Sequence, residues 1–189
     1  MFNPPLQAGV VLALTVAAQA AFAQSTGFSL KGTMWERGSN SAECKPDPLL
    51  LFSLALTESR APSGNGRIAP HPFALRNTPS GSRFPRTYRD AVTALEHYIR
   101  EDSLTDIGIM QINYRWNGNR VARPEHLLDP ETNIRVGAQI LCESIAQYPA
   151  DIHLAIGGYH TRNPRREPDA RQYATTVLGI WRALQRLRG

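Results

Sequence analysis

The stretch from Asp47 to Ser59, Asp-Pro-Leu-Leu-Leu-Phe-Ser-Leu-Ala-Leu-Thr-Glu-Ser, constrains this chain most, because it is a well-signalled helix that carries an acid into apolar company. Asp47 can accept bonds from the free N–H groups of a first turn, and Pro48 suits the first helical position. Leu51, Leu54 and Glu58 fall three and four residues apart, which places the carboxylate on the leucine stripe. Two readings stay open for Glu58. It reaches water at a fraying helix end, or it is desolvated. Desolvation raises a glutamate from a pKa of about 4.3 towards neutrality, as a general acid working near pH 7 requires.

The chain of 189 residues is long enough for one domain with a real core. Residues 1–23 carry no charged side chain, and the apolar run from Ala8 ends in Ala21-Phe22-Ala23. That small-x-small ending predicts a secretory signal peptide, residues 1–23, cleaved before Gln24. The absence of Lys or Arg near Met1 keeps an uncleaved amino-terminal anchor as the competing reading, although the run is short for a span and is interrupted by Gln19. No later segment is apolar enough to cross a membrane. The net charge is +5 and almost wholly arginine, since Lys31 and Lys45 are the only lysines. A basic exported protein is drawn to anionic envelope polymers. The arginines are scattered without a recognition motif, so nucleic acid is not the expected partner. Cys44 and Cys142 suit an oxidising compartment and one disulfide, with two separate thiols as the alternative. No paired histidines at ligand spacing accompany them, so neither zinc nor another cofactor is expected.

Residues 24–40 are rich in Ser, Gly and Thr without a clear period and read as a flexible arm before a domain spanning 41–189. From Ala61 to Arg89, Pro, Gly, Ser and Arg crowd the chain, which predicts a long loop, and loops of that length tend to carry function. Helical spacing resumes over Asp90–Glu101, with Asp90 as its cap. Asp106-Ile107-Gly108-Ile109-Met110-Gln111-Ile112-Asn113 suits a buried turn or short strand, with Gly108 permitting close backbone approach. Asp129-Pro130 repeats the cap-then-proline signal before a helix in which Gly137 would let another helix come close, and Asp151 caps a short helix running into Gly157-Gly158-Tyr159-His160. Pro168–Arg188 reads as a last helix with Tyr173, Val177, Ile180, Leu184 and Leu187 as its apolar stripe. Several helices with little strand signal make a mainly α domain.

Leu56-Thr57-Glu58-Ser59, His71-Pro72-Phe73-Ala74-Leu75, the Asp106–Asn113 segment, Asn133-Ile134 with Gly137, and Ala155-Ile156-Gly157-Gly158-Tyr159-His160, in this order, resemble the lytic transglycosylases of the goose-type lysozyme-like (SLT) family. They look most like the small branch associated with conjugation, type IV secretion and pilus assembly. The resemblance implies a mainly α, lysozyme-like single domain with little β structure, acting in the periplasm as a monomer. It implies that Glu58 is the catalytic acid and then base on the β-1,4 bond between N-acetylmuramic acid and N-acetylglucosamine. Glycosidases usually need two carboxylates. In this family the muramoyl N-acetyl group supports the developing cation, and the sugar's own 6-hydroxyl closes on C1 to leave a 1,6-anhydro end.

Asp106 is the candidate second carboxylate, because goose-type lysozymes carry acids upstream of the corresponding glycine and hydrolyse with water; its other reading is a brace for the turn. For substrate binding the resemblance points to Ser59, Met110, Gln111, Tyr159 and Asn133. Ser59 has a direct role or caps the helix end. Met110 and Gln111 line the sugar cleft, with Gln111 alternatively a core amide. Tyr159 sets its hydroxyl against Glu58, and Asn133 supports the cleft wall from behind. The implied partners are peptidoglycan glycan strands and components of an envelope-spanning secretion or pilus apparatus. The alternatives are a hydrolytic muramidase using Glu58 with Asp106, and a non-catalytic wall-binding assembly factor.

Overall fold

The computed structural model describes residues 28–188, so the signal-peptide reading of residues 1–23 and the cleavage before Gln24 lie outside the described residues. Its centre is α2 (Pro48–Ser59), which begins as its sequence predicts: the Asp47 side chain accepts from the Leu49 N–H, and Pro48 is the first helical residue. The helix is apolar almost all round and correspondingly buried, with Leu49, Leu51 and Leu54 fully enclosed. Each such leucine contributes about 2 kcal/mol of burial. Around it lie α1 (Met34–Asn40), α3 (Tyr88–Glu101), the short α4 (Tyr114–Asn117), α5 (Pro130–Gln147), α6 (Ile152–Gly157) and α7 (Glu167–Gln185). Both α1 and α7 pack on α2, while α5 packs on α1 and α6, and α6 on α7.

The expected flexible arm over 24–40 is corrected from residue 28 onward. Trp35 is 4% exposed and meets Phe52 of α2 edge-on, with ring centroids 5.2 Å apart. Gly38 lies so close to α5 that a Cβ would fall 2.4 Å from Ile134. The polar composition hid a stripe of Trp35, Gly38 and Ser39, which is the face that packs. The domain therefore includes α1.

The long loop expected over Ala61–Arg89 contains two hairpins instead. Strands β1 (Arg60–Pro62) and β2 (Ile68–Pro70) pair with each other; β3 (Leu75–Asn77) and β4 (Gly81–Arg83) join β5 (Asp106–Ile107) and β6 (Ile112–Asn113) in an antiparallel sheet of order β4-β3-β5-β6. Strands of two or three residues are too short to show an alternating pattern, which is why turn composition dominated the sequence. The cap of α3 is Thr87, whose hydroxyl oxygen accepts from the Asp90 N–H at 3.2 Å while its O–H donates back to the Asp90 carboxylate. Asp90 is the reciprocal partner rather than the cap. On α7 the inward face is Ala170, Ala174, Val177 and Leu178, whereas Leu187 is exposed. The expected stripe was thus rotated towards its larger residues, because the alanines that allow close packing carry little hydrophobic signal.

Cys44 and Cys142 form a disulfide, Cα atoms 5.5 Å apart across 98 residues of sequence, tying the turn before α2 to α5. No helix among the described residues is long and apolar enough to cross a membrane.

Candidate active site

Sheet register builds one wall of the site. Arg76 on β3 lies opposite Asp106 on β5, and Asp106 lies opposite Asn113 on β6. Directly opposed residues share a sheet face, so the three polar side chains form a row, while Leu75, Ile107 and Ile112 are buried. Within the row the Arg76 guanidinium donates to Asp106 Oδ2 at 3.2 and 3.3 Å, and Asn113 Nδ2 donates to Asp106 Oδ1 at 2.9 Å. Both oxygens of Asp106 are thereby engaged.

The turn joining β5 to β6 carries two backbone specials. Gly108 has φ +79° and sits where a Cβ would fall 2.5 Å from the Leu127 carbonyl oxygen and 2.4 Å from Asn133 Nδ2. Only glycine fits there. Gln111 takes φ +47°, a costly conformation for a side-chain-bearing residue that must be held by its surroundings. Asn133, fully buried on α5, does much of that holding: Nδ2 donates to the Ile107 and Leu127 carbonyls at 2.9 and 2.7 Å, and Oδ1 accepts from the Met110 N–H at 2.8 Å. Ser59, buried next to the acid, donates to the Ile109 carbonyl at 2.7 Å and so ties the end of α2 to this turn.

Glu58 projects from α2 into a cavity of about 210 Å³ whose lining also includes Arg76, Asp106, Gln111, Asn113 and Tyr159. Ile112, Trp116, Asn117, Ile140 and His160 complete it. The residue keeps some solvent contact, as a cleft acid must, yet burial of its carboxyl group pushes the pKa up to about 7. The hydrogen bond from Tyr173 and the charge of Arg76 pull the other way, and the Asp106 charge adds to the rise. Tyr173 on α7 donates its hydroxyl to Glu58 Oε1 at 2.5 Å. Burial first, and then the nearby Glu58 charge, hold the phenols of Tyr173 and Tyr159 well above their usual range, so both stay neutral donors. The His160 ring stacks on Tyr173 with centroids 5.0 Å apart, and its partial burial lowers its pKa.

The five expected substrate contacts divide. Gln111 and Tyr159 line the cavity, although Gln111 spends its amide N–H groups on the Ala74 and Gly108 carbonyls, both at 3.0 Å. Met110 does not line it: the side chain is fully buried against Gly137, where a Cβ would fall 2.9 Å from Met110 Cε. That glycine admits the methionine, not a helix. Ser59 and Asn133 are likewise enclosed and brace the site from behind. The Tyr159 hydroxyl bonds the Met110 carbonyl at 2.8 Å, so the phenol that meets Glu58 is that of Tyr173, one helix further on. Sequence reasoning had placed Tyr173 on a core stripe. Its polar tip, which needs a partner when buried, was the available signal. Arg76 and Asn113 became visible only through strand register.

A larger cavity of about 860 Å³ lies beside the disulfide, lined in part by Glu43, Arg120, Gln139 and Glu143. Its best-placed acid, Glu143, is held below the usual carboxylate range by hydrogen bonds from Arg120. A carboxylate held as an anion does not donate a proton near pH 7, whereas the carboxyl group raised by burial, Glu58, lies in the smaller cavity.

No curated protein and no solved structure matches the chain significantly. The profile of the transglycosylase SLT domain matches residues 39–175, from the end of α1 to the middle of α7, and includes both Glu58 and Tyr173. The chain therefore belongs to the SLT transglycosylase family, whose members are lytic transglycosylases, lyases of the glycosidic bonds of peptidoglycan.

Proposed function

We propose that Glu58 is the single acid and base of this transglycosylase, cleaving the β-1,4 bond between N-acetylmuramic acid and N-acetylglucosamine. The observation that carries the reading is the state of the carboxyl: pushed up to about 7 by burial, yet oriented by Tyr173 at 2.5 Å. Such a group is substantially protonated at neutral pH and can give its proton to the glycosidic oxygen. The C1–O bond then breaks, its electrons going to the departing N-acetylglucosamine oxygen. The muramoyl N-acetyl group supports the positive charge at C1. Glu58, now a carboxylate, takes the proton of the 6-hydroxyl as that oxygen bonds C1, leaving a 1,6-anhydro end and a regenerated acid.

Asp106 is the only rival for a second catalytic carboxylate in the cavity lining, and its position favours the single-acid reading. Both of its oxygens accept from Arg76 and Asn113, contacts that fit its reading as a brace of the turn. A fixed anion there supports the cationic transition state by charge and helps keep Glu58 protonated. Replacement of Glu58 by glutamine tests the assignment. Cleavage of isolated sacculi falls by about 10³-fold or more while sacculus binding persists. Retained cleavage would exclude Glu58 as the acid, and a wild type that binds without cleaving would favour the wall-binding factor.

The wider setting rests on the apolar, uncharged leader of residues 1–23 and on the likeness to the branch that serves conjugation, type IV secretion and pilus assembly. On that basis the enzyme is periplasmic, works as a monomer, and opens the wall locally for an envelope-spanning machine. Deletion of the chain reduces assembly of that machine if the reading holds, and leaves it intact if the enzyme serves general wall turnover.

A further inference from the structure

The positive charge of the chain is concentrated in one place. The stretch from Arg60 to Arg89, which forms both hairpins and leads into α3, holds six of the 21 basic residues and none of the 16 acidic ones, leaving 15 basic against 16 acidic elsewhere. The whole positive excess therefore sits on this lobe. Arg76 is paired with Asp106 in the cavity wall. Among the described residues, Arg60, Arg67, Arg83, Arg86 and Arg89 belong to no ion pair. Asp90, the first acid after the stretch, has its carboxylate on the Thr87 hydroxyl. The same lobe exposes Ile68, Phe84 and Tyr88, which are 62%, 45% and 48% accessible. Phe84 and Tyr88 are the open ends of a run of rings packed edge to face: Phe84 on His71 with centroids 5.4 Å apart, His71 on Phe73 at 6.3 Å, and Phe73 on Tyr88 at 6.3 Å. Phe73 packs on the core and so anchors the run. Burial lowers the His71 pKa, which leaves the linking ring uncharged at neutral pH. None of the unpaired arginines or exposed rings lines the Glu58 cavity or the larger cavity beside the disulfide.

We propose that this lobe is a docking surface for an anionic phospholipid membrane. Arginine forks match the oxygens of headgroup phosphates, and aromatic rings settle at the level of the headgroups. Unpaired cations beside exposed rings combine the two attractions, apolar and electrostatic, that hold a peripheral protein on lipid. A fluid layer of phosphates can meet arginines spread over several loops. A sugar chain is instead held by convergent donors and acceptors in a concave site, and this patch is cationic and lines neither cavity. Because the same stretch supplies Arg76 to the Glu58 cavity, docking holds the cleft beside the membrane and directs cleavage to the glycan strands nearest it. The proposal goes beyond the catalytic assignment and does not depend on it.

Co-sedimentation of the exported chain, as processed in the cell, with lipid vesicles tests the proposal. Vesicles of phosphatidylglycerol mixed with phosphatidylethanolamine bind it about tenfold more tightly than vesicles of phosphatidylcholine, and the difference shrinks as salt is raised. Replacing Arg86 and Arg89 together by glutamine weakens binding to the anionic vesicles about tenfold, and Phe84→Ser combined with Tyr88→Ser weakens it by a similar factor. Arg182→Gln combined with Arg186→Gln removes the same charge from the end of α7 and leaves binding within about twofold. All six side chains are exposed, so the variants melt like their parent and cleave sacculi at its rate when no vesicles are present. If the ring variant melts early, the arginine pair decides. Equal binding to both kinds of vesicle, or an equal loss from the α7 pair, would overturn the membrane surface. So would an Arg86 and Arg89 variant that keeps its hold on vesicles but loses its hold on intact sacculi, measured in the Glu58→Gln background, since the anion recognised is then part of the wall. Each of these results leaves the assignment of Glu58 untouched.

Discussion

A carboxyl group that protonates a glycosidic oxygen near neutral pH has to lose most of its water without being left free to rotate. Glu58 meets both conditions through different residues. Burial raises its pKa, and the Tyr173 hydroxyl, donating to the carboxylate, fixes its direction and partly offsets the rise. With Glu58 as the proposed acid, the protonated form is the active one, and cleavage declines as pH increases through about 7. Removing a donor to the ionised form disfavours ionisation, so Tyr173→Phe moves that descending limb to higher pH. It also lowers the maximal rate roughly tenfold to a hundredfold through lost orientation. A pH–rate series on turbid wall suspensions checks both, and an unmoved limb would show that Tyr173 does not touch the working acid. Tyr159→Phe instead removes a bond to the Met110 carbonyl, and its effect is on the turn rather than on the limb. Which tyrosine reaches Glu58 was not legible in the sequence, because the motif tyrosine and the α7 tyrosine differ only in where their helices aim them.

Elements announced by backbone chemistry were readable in advance. Asp47, Asp129 and Asp151 each cap the helix that follows, two of them with proline at the first position. The Asp106–Asn113 segment forms the expected tight apolar turn around Gly108. What stayed hidden depended on long-range pairing: three-residue strands stabilised by partners far along the chain, and an α1 whose packing face is a tryptophan, a glycine and a serine. The disulfide belongs to this scale as well, since it clamps the turn before α2 to α5, which braces the β5–β6 turn through Asn133. Closing a loop of this length stabilises by about 4.7 kcal/mol in the chain-entropy account, or roughly 10–20 °C in Tm for a chain of this size. Replacing Cys44 and Cys142 together by serine lowers Tm by about that amount in a thermal melt, and reduction retards the wild type on a denaturing gel. Equal Tm values would show that the two helices are held without the bond.

At the scale of the molecule, three parts of the chain converge on one carboxyl: α2 presents it, the β3-β5-β6 row sets the Arg76–Asp106 pair in the same cavity, and α7 supplies the phenol bonded to it. The family match over residues 39–175 gives the reaction class, and it leaves open which groups perform each step. The central claim is that one acid suffices because the substrate provides the second nucleophile. Mass spectrometry of the fragments released from purified peptidoglycan tests it most directly, comparing the native enzyme with Asp106→Asn. The account predicts 1,6-anhydro-muramoyl ends from the native enzyme, and the same ends, at reduced rate, from the Asp106 variant. Reducing muramoyl ends from the native enzyme, lost with Asp106→Asn, would contradict it and identify a two-carboxylate hydrolase.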